Sequence, residues 1–256
     1  MEIRKLCQKV GEEKNLRQST VFSYRRLLLM LGVEDDSITR AEVEALLFDI
    51  DNPSTRRATV IAVRSVLGFK IKIPKAPKRS YVLPEESTLR LALMITPHEI
   101  RGLMMMYAGL RIGEACAVTR KQVNGDKLLV DRQILELYAS EAETGGKVEK
   151  VCVLAPVKGS EAEIVIPHWL SPLIATLDDT AVPSRVRESL RRAGKKVGIS
   201  LNPHLLRHWY ATTMLERGAP LTLVQAQMRH SDIAVTLRAY SEHNNEDIHK
   251  MFDTDR

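Results

Sequence analysis

The sequence predicts a mainly α-helical protein with a small antiparallel β-sheet, an α+β chain built as two modules joined by a basic strap. Three observations carry this. Apolar residues recur at helical spacing through residues 1–70. Lys70 to Ser80 breaks that pattern with Pro74 and Pro77. Residues 127–135, 149–156 and 162–167 are rich in Val, Ile and Leu and bounded by Gly and Pro, so they read as short strands. The 256 residues suffice for one large domain or two modest ones with real cores.

In the front module, Phe22, Leu27, Leu28 and Leu31 fall at near-helical spacing within 16–31. Thr39 can cap a helix from Arg40 to about Phe48, with Glu42 completing a capping box. Pro53-Ser54-Thr55 opens a further helix whose apolar face carries Val60, Val63 and Leu67, while Arg56, Arg57 and Arg64 project elsewhere. A bundle of about four helices follows from this spacing. The expected layout is a helical module over 1–70, a linker over 71–80 and a larger module over 81–256.

The strap holds Lys70, Lys72, Lys75, Lys78 and Arg79 and no acid. Its prolines favour extended backbone, which can lie along a phosphate chain or simply span two modules in solvent. In the larger module, helices are expected at 85–95, 97–108, 112–118 and again beyond about 183.

Net charge is +6, and its placement is informative. Residues 1–80 hold 16 Lys and Arg against 10 Asp and Glu, whereas residues 81–256 hold 22 of each. A basic front joined to a neutral body suits a protein that grips a polyanion. Apolar content of 44% and charged content of 27% are ordinary for a globular chain. No run approaches the ~20 apolar residues of a membrane span. Met1-Glu2-Ile3-Arg4-Lys5 leads into no signal-peptide core, so a cytoplasmic location is expected. Cys7, Cys116 and Cys152 are odd in number and widely spaced, which reads as free thiols without a disulfide framework.

Four local patterns carry chemistry. In Ala108-Gly109-Leu110-Arg111-Ile112-Gly113-Glu114, two glycines bracket an arginine at a helix start, where a guanidinium fork can hold a phosphate. The bland alternative is an arginine on a helix surface. Lys158-Gly159-Ser160 lies between two expected strands, so Lys158 can reach into a cleft as a proton donor or stay solvated. In His204-Leu205-Leu206-Arg207-His208, positions 204, 207 and 208 share a helical face after the start signal Asn202-Pro203. That histidine and arginine can bind one phosphate together. A metal site is the alternative there, but the glutamate of the zinc-protease pattern is absent and no third ligand is evident. Last, Met228-Arg229-His230-Ser231 precedes Tyr240, which in isolation reads as a core-packed tyrosine.

The ordered set Arg111, Lys158, His204, Arg207, His230 and Tyr240 resembles the active site of the tyrosine recombinases, the phage-integrase and Xer-like family. The likeness extends over about 85–245, and residues 1–75 look like that family's helical core-binding domain by pattern. Two departures stand out: Arg229 occupies a position usually held by glycine, and Ile164 one where a basic residue is common. The second leaves Lys147 and Lys150 as rivals to Lys158. At 256 residues, the separate arm-binding domain of larger phage integrases is not expected here.

The resemblance implies a site-specific recombinase that cuts DNA with Tyr240 and holds the strand as a 3′-phosphotyrosine. Arg111 and Arg207 would neutralise the phosphate, and His204 and His230 would hydrogen-bond it or move the tyrosine proton. Lys158 would protonate the leaving oxygen, and Glu114 would brace the site. No cofactor is implied, so cleavage in EDTA is expected. Arg56, Arg57, Arg185, Arg187, Arg191, Arg192 and Arg229 join the strap as candidate DNA contacts, with Lys195 and Lys196 nearby. The implied partners are double-stranded DNA and three further copies of the chain on two duplexes, in the nucleoid of a bacterial host. Ile248, Met251 and Phe252 would let the tail after Tyr240 dock on a neighbouring subunit. A type IB topoisomerase, a Xer-like resolvase and a non-catalytic DNA-binding regulator remain as alternatives.

Overall fold

The computed structural model describes residues 1–75, 83–138, 150–157 and 161–229, leaving aside the side chains of Tyr138 and Lys150. The chain divides into two compact units, Met1–Arg79 with Leu137–Val151, and Ser80–Glu136 with Cys152–Arg256.

Among the described residues the first unit contains four helices: α1 (Ile3–Glu13), α2 (Gln18–Met30), α3 (Arg40–Phe48) and α4 (Pro53–Val66). Local sequence fixes the starts of the last two. Thr39 and Glu42 form a reciprocal capping box at α3. Asn52 accepts hydrogen bonds from the Ser54 and Thr55 amides at 3.0 Å, and Pro53 supplies the first helical turn of α4. Ile3, Leu28, Val43, Val60 and Val63 meet in the core. Each fully buried side chain of this size contributes about 1.5–3 kcal/mol, which holds short helices that would be marginal alone.

The arginines of α4 were expected to project from the helix, but they turn back onto backbone. Arg56 donates to the carbonyls of Ile50 at 2.9 Å and Phe48 at 3.0 Å, satisfying groups beyond the end of the α3 ladder. Arg57 donates to Pro74 O, and Arg64 to Ile71 O at 2.6 Å. With Ile71 buried, these bonds fix residues 71–74 against α4. Lys70, Lys72 and Lys75 remain exposed; Lys78 and Arg79 lie outside the described residues.

The second unit begins with α5 (Glu86–Met94), α6 (Glu99–Tyr107) and α7 (Ile112–Ala117). It continues through β1 (Val123–Asn124), β2 (Lys127–Val130), and then β5 (Ala162–Val165), which together form an antiparallel sheet in the order β1-β2-β5. Leu128 faces Ile164 across the sheet, and Leu128, Val130 and Ile164 point into the core. The strands β3 (Arg132–Tyr138) and β4 (Lys150–Pro156) pair with each other.

Among the described residues two sheets therefore replace the single one expected. The run 127–135 breaks at Asp131, whose carboxylate holds Arg132 at 2.8 Å and whose carbonyl accepts from the Val157 amide. As a result β4 and β5, the described strands on either side of 158–160, have different partners and do not pair with each other. The unit closes with α8 (Ser171–Ile174), α9 (Pro183–Lys196), α10 (Pro203–Glu216) and α11 (Leu221–Met228). Its core joins Met104, Met105, Met106 and Leu110 with Leu190 and Leu206. Among the described residues no helix is long and apolar enough to cross a membrane.

Candidate active site

The loop between α6 and α7 places the first arginine. Gly109 has φ +63°, and a Cβ there would lie 2.7 Å from the Tyr210 ring, so both backbone and space call for glycine. A Cβ on Gly113 would sit 2.8 Å from Ile134 O, so glycine also lets α7 lie against β3. Arg111 occupies the N-cap of α7. Glu114 is fully buried and reaches back to it: Oε2 accepts from the Arg111 amide at 2.7 Å, and Oε1 pairs with Arg111 Nη1 at 3.0 Å. Arg111 Nη2 donates to Arg229 O at 3.1 Å, yet 29% of its side chain stays accessible. That outer edge is what a ligand would meet.

The second arginine comes from α10. Asn202 caps the helix through the Leu205 amide at 3.0 Å, and Pro203 opens it. Leu205, Leu206 and Trp209 bury the same helix, which draws Arg207 inward to 6% exposure. Arg207 donates through Nη1 to Gly109 O and through Nη2 to Met228 O at 2.7 Å. It thereby ties the α6–α7 loop to the end of α11. Burial first, then the charges of Arg111 and Arg229, brings its pKa down to about 9, partly opposed by Glu114. The guanidinium is still charged at neutral pH.

His204 stands one turn before Arg207 and is exposed. Partial desolvation, then the cations Arg207 and Arg187, lower its pKa below the ordinary imidazole value. It is therefore neutral at pH 7, able both to accept and to donate. His208 contacts Thr212 Oγ1 at 3.3 Å on the same helix.

Arg229 is not presented outward as a DNA contact. It ends α11 in the left-handed region, φ 51°, and its side chain is only 7% exposed. Its Nη2 lies 2.5 Å from Glu114 Oε2, an ion pair by distance although the angle is poor for a hydrogen bond. The physical reason is that Arg111 brings its guanidinium to Oε1 of the buried Glu114 but only a neutral amide to Oε2, and Arg229 places a second cation beside Oε2. The sequence does not show this pairing; its one sign there is that Arg229 stands where glycine is usual, which matches the left-handed backbone at this position.

The structure thus brings together Arg111, Glu114, Arg207 and Arg229, with His204 on the same helix as Arg207. Lys158, His230 and Tyr240 lie outside the described residues, as do Lys147 and the tail. On α9, Arg191 and Arg192 both pair with Glu188 at 2.8 Å, and Arg187 lies 3.7 Å from Glu136. Arg185, Lys195 and Lys196 are exposed. Among the described residues no group of three or more His, Cys, Asp or Glu could hold a metal. Cys7 and Cys116 are buried, which pushes their thiols up to about 11 and about 12 and leaves them unreactive.

The sequence profile of the Phage integrase family matches residues 85–247, well over half the chain and spanning every residue of this cluster. The chain belongs to the phage integrase family. Curated relatives of this integrase-family chain include the tyrosine recombinase XerA of Pyrococcus horikoshii, 27% identical over 65% of this chain. Another is the tyrosine recombinase XerD of Staphylococcus saprophyticus, 26% identical over 94% of this chain and 93% of that protein. Matches to the XerA proteins of Pyrococcus horikoshii and Pyrococcus furiosus span less than two thirds of those proteins, 59% and 58%. Among solved structures, the Tn1549 transposon integrase in complex with a circular intermediate DNA aligns at TM-score 0.68 and 15% identity, covering 99% of both chains. A lambda integrase dimer bound to a core site aligns at 0.61 and 16%, covering 96% and 97%. At such identity these structures establish the integrase fold of the chain.

Proposed function

We propose that this integrase-family chain is a site-specific DNA recombinase that cleaves and rejoins strands through a 3′-phosphotyrosine on Tyr240. One observation carries the reading. Arg111 and Arg229 pair with a single buried carboxylate, Glu114, and the buried Arg207 lies close enough to feel all three charges, so the cluster holds more positive than negative charge in a poorly hydrated setting. Such an excess favours an anion, and a phosphodiester supplies one that a guanidinium fork fits. The relatives named tyrosine recombinases support the same chemistry.

In the proposed step the Tyr240 oxygen attacks the scissile phosphorus and loses its proton. The bond to the 5′ oxygen breaks, and Lys158 protonates that leaving oxygen. Arg111 and Arg207 offset the charge that builds on the phosphoryl oxygens, an effect worth about 3–4 kcal/mol per lost donor in comparable sites. His204, neutral at pH 7, and His230 hydrogen-bond the same group or pass the tyrosine proton. The covalent bond conserves the phosphoester, so a second 5′-hydroxyl reverses the step without ATP. Recombination joins four copies on two duplexes, in the cytoplasm and on the nucleoid of the host.

The test is a nicked suicide duplex that traps the adduct. The wild type should accumulate a covalent protein–DNA species, and Tyr240→Phe should bind the duplex yet form none. A wild type that binds without an adduct would leave a DNA-binding regulator. Relaxation of supercoiled DNA lacking paired sites would instead indicate a topoisomerase. The names of the curated relatives favour a second reading, a Xer-like resolvase. Exchange confined to two copies of one site on a single circle would support it over integration.

A further inference from the structure

The geometry points to Arg229 as a positioning residue that sets Arg111 for the phosphate without touching the phosphate itself. The inference rests on the recombinase reading of the same site. Three contacts meet at this residue. Its guanidinium neutralises Glu114 Oε2 at 2.5 Å, its carbonyl accepts Arg111 Nη2 at 3.1 Å, and its Nη1 approaches Val130 O on β2 at 3.4 Å. Arg111 therefore leans on Arg229 twice: directly through the carbonyl, and indirectly through the carboxylate they share. Arg207 closes the ring by donating to Met228 O, the preceding carbonyl.

Glu114 without Arg229 would be a fully buried carboxylate served by Arg111 alone. Arg111 would then be drawn toward it, with fewer N–H groups free for a ligand. With Arg229 in place, part of that demand is met from behind, and the accessible edge of Arg111 stays outward. The cost is visible in the backbone. Arg229 holds the left-handed conformation that glycine adopts freely, and its buried Nε has no hydrogen-bond partner among the described residues. A fold that keeps an arginine under those conditions gains from its charge. Burial and the nearby Arg111 also oppose the charged state, while Glu114 supports it.

The experiment compares Arg229→Lys, Arg229→Met and Arg229→Gly on the nicked duplex in single turnover. Direct binding is measured over a range of salt. Arg229→Met should lower the cleavage rate about 10- to 100-fold, the scale of a slightly misplaced catalytic group. Its DNA affinity should stay within about threefold and its salt slope should not change. Arg229→Lys, which keeps the charge, should recover most of the rate. Arg229→Gly removes the backbone strain, so it folds even if Arg229→Met does not, and it should show the same loss in rate. Wild-type cleavage by Met or Gly overturns the proposal. So does a salt slope lower by about one, because that marks a direct phosphate contact.

If the wild type forms no adduct, the recombinase reading fails on its own. The positioning claim is then decided by urea denaturation of Glu114→Gln, Arg229→Met and the double variant. A non-additive cycle supports it and additivity overturns it.

Discussion

Arg207 commits one amino group to Gly109 O and the other to Met228 O, so its position is set by backbone rather than by an acidic side chain. Gly109 is the complement of that contact. Gly109→Ala would force a side chain into the left-handed region and against Tyr210, so a loss of about 1–3 kcal/mol in urea unfolding is expected, together with reduced cleavage. His204 gives a prediction in pH. Its folded pKa lies below the 6.5 of free imidazole, so as pH falls through 6.5 the unfolded chain takes the proton first. Stability should decline across that window and stop declining once the folded imidazole is also protonated. An NMR titration should place the His204 midpoint below 6.5 in the free protein and higher on DNA, where phosphate favours the cation. A midpoint unmoved by DNA would remove His204 from the phosphate.

At the level of elements, α7 carries both Arg111 and Glu114 but has only six residues, too few to stand alone. A buried arginine that the sequence reading did not single out holds its far end. Arg101 on α6 donates to Ala115 O at 2.6 Å, Cys116 O at 3.1 Å and Val118 O at 3.3 Å, and to Asp179 O at 2.5 Å. Arg101→Met should cost about 3 kcal/mol of stability, because buried carbonyls lose a charged donor. Cleavage should fall with it, since α7 would lose its anchor; unchanged melting would show that solvent replaces the donor. The element boundaries themselves were largely legible. Thr39 with Glu42, Asn52 with Pro53 and Asn202 with Pro203 are short-range signals, and the helices begin where they stand. The β1–β2 hairpin was missed although Asn124-Gly125 is a turn signal; Gly125 has φ +56° in the two-residue loop. The break at Asp131 had no such local sign, because it depends on a pairing with Val157 some distance along the chain.

For the whole molecule, the basic excess of the front third becomes a definite surface. Arg57 and Arg64 fasten residues 71–74 to α4, and Lys70, Lys72 and Lys75 stay exposed along that segment. DNA affinity should fall steeply with salt, and replacing each of these lysines by glutamine should lower the slope by about one. A triple variant with the wild-type slope would mean that these lysines do not meet phosphate. The arginines of α9 are a weaker prospect, since Arg191 and Arg192 already share Glu188, whose carboxyl they hold down to about 2.

The sequence by itself determined the helical starts, the two glycines around Arg111 and the identity of the arginine pair, because each depends on neighbours a few residues apart. Only the tertiary structure decided which arginines stay accessible and which are held inside the fold. Arg111 keeps 29% of its side chain accessible, whereas the side chains of Arg101 and Arg229, with the same charge, are buried with their donors on backbone carbonyls or beside Glu114. A buried cation takes whatever acceptor the packed fold places beside it, and that acceptor has no fixed spacing in sequence.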